Sequence, residues 1–314
     1  MKNSKVRFPI LLAIFSSWMF LVACNDDDEP TPVAQEDIVD IVVGSDNFTT
    51  LEAAVIQADL VSTLQGDGPF TVFAPTDDAF TAFLEDNDMS ASDLLANDDL
   101  AGILTYHVLS GEVVASAVMP GEVTTVNGAS FYVSEDANGA IWINGAAKVT
   151  TTDIMATNGL IHVLDYVIMP PSSSIAEIAV AKTMEEMPEF TQLVGALSRA
   201  NLVEAVSGDE GDLTVFAPTD AAFQALYDSN PSWNDFNDIP LETLTAVLTA
   251  HVVPARAFAQ DLRTGTSLAT LNADAVLQVD LDAMTVGGAS LNADMLNIHA
   301  TNGVIHVINE VILP

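Results

Sequence analysis

The sequence predicts an α+β fold, built twice. Three observations carry this. First, Thr71-Val72-Phe73-Ala74-Pro75-Thr76-Asp77-Asp78-Ala79-Phe80 returns as Thr214-Val215-Phe216-Ala217-Pro218-Thr219-Asp220-Ala221-Ala222-Phe223, an offset of 143 residues. Second, the stretch from Ala156-Thr157-Asn158-Gly159 to Val167-Ile168-Met169-Pro170 returns 144 residues on, from Ala300-Thr301-Asn302-Gly303 to Val311-Ile312-Leu313-Pro314. Periods this long are whole domains, because solenoid repeats run at roughly 20 to 50 residues. Third, each copy opens with apolar spacing of three and four and continues with short apolar runs, so helices precede strands. The chain has 314 residues, and two domains suit that length.

The N-terminus reads as a leader rather than as part of the fold. Lys2, Lys5 and Arg7 form a basic region, and residues 8–22 form an apolar run of 15, shorter than the ~20 a membrane helix needs. The run ends in Leu21-Val22-Ala23-Cys24, which resembles the lipobox of bacterial lipoproteins. On that reading residues 1–23 are removed, and Cys24 becomes the lipid-bearing first residue that ties the protein to a membrane. Several acyl chains, at ~0.8 kcal/mol per buried CH₂, give stable anchoring. Cys24 is the chain's single cysteine, so no disulfide forms within one chain. Residues 24–35 follow as an acidic, proline-bearing tether. An acidic tract directly after a lipidated Cys also resembles the surface-export signal of some Gram-negative lipoproteins, which places the expected location at the outer membrane, facing outward.

Charge narrows the partners. Three of the 8 basic residues lie in the leader and none of the 44 acidic ones do, so the remainder carries 5 basic against 44 acidic, or −39. Such a field repels nucleic acid and anionic surfaces. Solubility in an exposed setting accounts for it more simply than any acidic site.

Domain 1 is expected at 36–170, a linker at 171–174 and domain 2 at 175–314. Phe48, Leu51, Ala54, Val55, Ala58 and Leu60 predict a first helix, matched by Phe190, Leu193, Val194, Leu197 and Leu202. Turns follow at 66–69 and 208–211, then short strands at 70–74 and 213–217. Pro75-Thr76 switches strand into helix: Pro extends the residue before it, Thr76 caps, and Asp77 and Asp78 complement the helix dipole. Thr219 and Asp220 repeat this. A second helix carries Leu100, Ile103, Leu104, His107 and Val108 in one copy, and Leu244, Val247, Leu248, His251 and Val252 in the other. Strands are then expected at 112–114, 123–126, 130–133, 141–143 and 160–168, with Asn127-Gly128 and Asn138-Gly139 as hairpin turns. They lie too close for crossover helices, so the sheet is mostly antiparallel.

The candidate residues read more readily as packing than as chemistry. His107 and His251 sit in apolar stripes, and His162 and His306 within apolar strands. Buried polar groups nearly always find partners, so all four are expected as neutral, internally bonded rings. Asn158-Gly159 and Asn302-Gly303 suit a turn needing positive φ, with the Asn side chains satisfying backbone groups in it. There is no Gly-x-Ser-x-Gly elbow, His-Glu-x-x-His or phosphate loop. Asp280-Leu281-Asp282 lacks the third acid and the Gly of a calcium loop. No metal site and no enzyme is expected.

These residues resemble the fasciclin domain. The run from Thr71 to Phe80 is similar to one signature of that family. Thr157-Asn158-Gly159-Leu160-Ile161-His162-Val163, together with Val167-Ile168-Met169-Pro170, is similar to another, and both recur in copy two. His107 and His251 fall where the family has a His. The resemblance implies a wedge-shaped β-sandwich flanked by N-terminal helices, no cofactor, and adhesion or matrix interaction with an extracellular protein or glycan. A Tyr-His pair tied to adhesion in some animal members corresponds to Tyr106-His107, which marks Tyr106 as an expected adhesion contact, although copy two has Ala250-His251. The alternative is a module that captures a ligand or glycan for a neighbouring uptake or degradation system.

Overall fold

Asp37 opens the fold by accepting the Asp40 N–H at 2.9 Å, while the Asp40 carboxylate accepts the Asp37 N–H. This capping box starts α1 (Ile38–Val43). The computed structural model describes residues 36–208 and 212–314. α2 (Thr49–Gln57) ends where Asp59 turns the chain at φ +55°, and α3 (Val61–Leu64) follows. β1 (Phe70–Pro75) leads into α4 (Asp77–Asp86), α5 (Ala91–Leu95) and α6 (Leu100–Tyr106). Then come β2 (Val108–Ser110), β3 (Gly121–Thr124), β4 (Ser130–Glu135), β5 (Ile141–Ile143), β6 (Ala147–Ala156) and β7 (Gly159–Leu164).

These strands form one sheet in the order β2-β1-β7-β6-β5-β4-β3. Every pair is antiparallel except β1 with β7. The two parallel strands are buried on both faces, which is why they read as continuous apolar runs. Val72, Ala74, Ile161 and Val163 face the helices. Phe73 and Leu164 face the other way, against Phe131 and Ile143. The Phe73 and Phe131 rings meet edge to face at 5.1 Å, although three strands separate β1 from β4 in the sheet. The sheet therefore curls over a second core. Each large side chain buried there contributes about 1.5–3 kcal/mol.

Domain 2 repeats the plan. Its helices are α7 (Ile175–Lys182), α8 (Thr191–Arg199), α9 (Val203–Ser207), α10 (Asp220–Ser229) and α11 (Leu241–Ala250), with β8 (Leu213–Pro218) between α9 and α10. β9 (Val252–Val253), β10 (Ser267–Ala269), β11 (Val276–Asp280), β12 (Thr285–Val286), β13 (Ala289–Ser290), β14 (Ile298–Ala300) and β15 (Gly303–Ile308) complete it. The sheet is split into β14-β15-β8-β9, with β8 and β15 parallel, and β10-β11-β12-β13.

Several expected strands move. Residues 112–114 lie outside the sheet because the Thr71 hydroxyl takes both the Gly111 carbonyl and the Val113 N–H, at 2.8 and 2.9 Å. β2 pairs there instead. The 160–168 strand stops at Leu164, since the Ile168 N–H bonds to a side chain rather than a ladder. β6 is additional: its polar middle, residues 150–153, carries a register shift and shows no apolar alternation. Most of the expected turn at 208–211 falls outside the described residues.

Candidate functional site

The Thr-Asp pair after each Pro joins two helices. Thr76 accepts the Ala79 N–H at 3.2 Å and caps α4. The Asp77 carboxylate reaches sideways to the start of α2. It accepts from the Thr50 N–H at 2.7 Å, the Thr49 hydroxyl at 2.7 Å and the Thr49 N–H at 3.2 Å. Phe48, at the N-cap of α2, offers no side-chain acceptor, so Asp77 supplies one from another helix. Partial burial works to raise the Asp77 pKa, but these donors outweigh it and hold it below the usual carboxylate range. Thr219 caps α10 through the Ala222 N–H, and Asp220 caps α8 through Thr191 and Gln192.

The Asn-Gly pair is a clip. Asn158 Oδ1 accepts the Ile38 N–H at 3.0 Å, and Nδ2 donates to the Leu64 and Gly66 carbonyls at 2.7 and 3.1 Å. Its partners lie about a hundred residues away, not in its own turn as the sequence suggests. Gly159, at φ +153°, passes so close to β1 that a Cβ would sit 2.0 Å from the Phe70 oxygen. Asn302 makes the same three bonds to Ile175, Val206 and Gly208, and Gly303 makes the same approach to Leu213.

The four motif histidines are buried and bonded to backbone. His107 Nε2 accepts the Ile168 N–H at 3.2 Å, so Nδ1 carries the proton and donates to the Ile103 carbonyl at 2.9 Å. His251 does the same with Ile312 and Val247. His162 and His306 donate from Nε2 to the Val113 and Ala257 carbonyls, both at 2.9 Å. Burial pushes His107, His251 and His306 down to about 4. None of these rings is placed to act on a solute.

Tyr106 is not a surface contact. It is fully buried, its hydroxyl donating to the Ser130 carbonyl at 2.9 Å and accepting from Asn144 Nδ2 at 3.0 Å. The α6 stripe turns it into the second core, where it packs edge to face on Phe131. Cys24 lies outside the described residues. Among the described residues, no three His, Cys, Asp or Glu side chains come together as metal ligands, and no helix is long and apolar enough to cross a membrane.

What the repeats do not share forms a joint between the domains. Asn144 and Gly145, both at positive φ, turn β5 into β6. The Gly145 carbonyl accepts from Asn297 Nδ2 at 2.9 Å and Gln260 Nε2 at 3.0 Å. A Cβ on Gly145 would meet Asn297 and Phe258 at 2.7 Å. Beside this knuckle the Arg256 guanidinium lies 4.1 Å over the Tyr132 ring. Arg256 is itself fixed by Asp212 at 2.8 Å and by the Ala300, Thr301 and Gly303 carbonyls. The Ser134 hydroxyl donates to Asp261 at 3.0 Å, and burial raises the Asp261 pKa.

The family model for the fasciclin domain matches residues 46–170 and 188–314. The chain belongs to the fasciclin family. "Protein sll1483" of a Synechocystis strain is 45% identical over 136 residues, covering 43% of this chain and 73% of the relative. "Transforming growth factor-beta-induced protein ig-h3" of Sus scrofa is 30% identical over 258 residues, 80% of this chain and 35% of the relative. Human periostin is 24% identical over 269 residues, 85% of this chain and 31% of the relative. The chain thus spans about a third of these animal relatives. Among solved structures, a domain pair from the insect cell adhesion molecule Fasciclin I covers 84% of this chain and 96% of its own, at 18% identity and a TM-score of 0.39.

Each of the two domains carries the counterparts of both faces of this joint, and the joint uses one face of each. The bonds from His162 to Val113 and from His306 to Ala257 make Glu112 the equivalent of Arg256, Asp153 of Asn297 and Met155 of His299 in the two copies. The matching strand registers make Gln278 the equivalent of Tyr132 and Gly288 of Gly145. On domain 1 the docking face is open, with Met119 74% and Met155 59% exposed. On domain 2 the receiving face is open, and a Cβ on Gly288 would touch nothing. Sequence reading passes over this joint, though two signals mark it: a third Asn-Gly pair at 144–145, and an Arg in an acidic chain where the other copy has Glu112.

Proposed function

We propose that the protein is a lipid-anchored adhesion or matrix-interaction protein of the outer membrane, displayed outward through Cys24 and the 24–35 tether. It acts by binding protein or glycan partners, without catalysis. One observation carries this reading: the motif side chains shared by both domains are bonded to their own backbone, as in the Asn158 and His107 clips. The shared residues build the scaffold, which leaves contact to the surfaces on which the copies differ. The lipobox-like Cys24, the net charge of −39 beyond the leader and the family's implied role in adhesion support it.

Cells displaying the wild-type chain are compared with cells carrying Cys24→Ser. Labelled acyl groups should enter only the former, and only the former should bind matrix- or glycan-coated surfaces. Equal adhesion by both would count against anchoring, and adhesion by neither would count against the binding role.

A further inference from the structure

Beside the joint lies a crevice of about 350 Å³, whose lining includes Tyr166, residues 169–173, Asn144, Asn297 and His299. That is the small end of ligand pockets, which run at roughly 300–1,000 Å³. No Asp, Glu, Lys or Arg lines it, in a chain with 44 acidic residues. The lining mixes apolar and aromatic surface with hydroxyl and amide groups. It suits a neutral, amphiphilic solute and offers no countercharge to an ion.

His299 is the fifth histidine of the chain and stands apart from the four structural ones. Its ring is held edge to face by Phe258 at 5.6 Å and Tyr132 at 5.9 Å. Both nitrogens are closed to solvent and neither has a partner. Leaving a buried polar group unpaired is costly. The fold of a single domain does not demand an imidazole here, since the equivalent residue of domain 1 is Met155, which is exposed. The hydrogen-bonding capacity of His299 is therefore unexplained by the fold, and the ring already lines the crevice.

We propose that this crevice binds a neutral sugar unit, with His299 turning into it to hydrogen-bond a hydroxyl. The apolar CH face of the sugar packs on the Tyr166 ring and the Pro170-Pro171 segment, and Ser172 and Ser173 supply further hydroxyls. Arg256 takes no part, because its donors are engaged by Asp212 and three carbonyls. The site stands apart from the adhesion reading, since sugar binding in solution can fail while adhesion holds, and the reverse.

The full chain is titrated by NMR with methyl glucoside, methyl galactoside and N-acetylglucosamine, with glucuronate as charged control. Saturable shifts of the His299 imidazole and of the 172–173 amides, with at least one neutral sugar and not with glucuronate, are the expected result. His299→Met, which installs the domain 1 residue, should weaken that binding at least tenfold. Ser172→Tyr, which fills the crevice from the linker, should abolish it with His299 intact. No shift with any neutral sugar, or undiminished binding by both variants, overturns the proposal.

Discussion

Asn158 shows how one side chain replaces a strand's worth of contacts. It closes three backbone groups from two segments, all of which would be left unpaired in Asn158→Ala. At about 1–3 kcal/mol for each buried group left unsatisfied, partly relieved by water, a loss of about 3 kcal/mol is expected in urea unfolding. A loss under ~0.5 kcal/mol would show that the clip contributes little. The buried histidines make a second prediction. His107, His251 and His306 have folded pKa values of about 4, below the 6.5 of a free imidazole. Between those values the unfolded chain binds more protons than the folded one. Stability is therefore full above pH 6.5 and is lost as pH falls toward 4, by on the order of 3 kcal/mol per ring at ~1.36 kcal/mol per unit. Unfolding midpoints that stay level from pH 7 to pH 4.5 would contradict neutral burial.

At the scale of elements, β1 and β7 are the spine, and Gly159 sets how near they come. In Gly159→Ala a Cβ would overlap the Phe70 oxygen, so the parallel pair must open. The variant is expected to lose more than ~3 kcal/mol, within the range of overpacking and backbone strain combined. Amides along 70–75 and 159–164 that stay protected in hydrogen exchange would show the pair still closed and contradict this. Asp77→Ala is milder. It uncaps α2 from a distance, at about 1–2 kcal/mol, and should raise exchange of the Thr49 and Thr50 amides first. Much at this scale was legible: the Pro-Thr switch, the α6 stripe as far as Leu104 and the Asn-Gly hairpins are local rules that tertiary context did not override, whereas His107 only caps α6 and Val108 already opens β2. β6 was not, because Thr150 to Asp153 face outward around a bulge and show no period. Asp77 read correctly as a first-turn acid of α4, but its bonds to α2 are long-range, and no spacing rule encodes them.

For the whole molecule, the deciding residues are those the repeat does not preserve. A search for recurrence finds scaffold and passes over Arg256, Tyr132, Asn297 and His299, whose significance lies in differing from Glu112, Gln278, Asp153 and Met155. Tyr132→Ala removes the ring under Arg256, and Gly145→Leu forces the knuckle off Asn297 and Phe258. Both should uncouple the domains without unfolding either. Calorimetry should then resolve two transitions where the parent is expected to give one, and a single shared transition in both variants would mean the joint contributes little.

The joint also has a direction. Domain 2 docks by one face on a different face of domain 1, a contact that no rotation has to close, and each end of the pair still carries the unused half. Such a contact can in principle repeat without limit, as in a filament. Here the next step would bring the Asp153 carboxylate toward the Gly288 carbonyl, where Asn297 donates to Gly145, and Glu112 toward Gln278, where Arg256 covers Tyr132. The chain therefore carries carboxylates on its unused docking face, at the places where the joint in use has the Asn297 amide and the Arg256 guanidinium. Glu112→Arg with Asp153→Asn and Gln278→Tyr should release it into concentration-dependent head-to-tail oligomers, visible by sedimentation, while the parent stays a single pair.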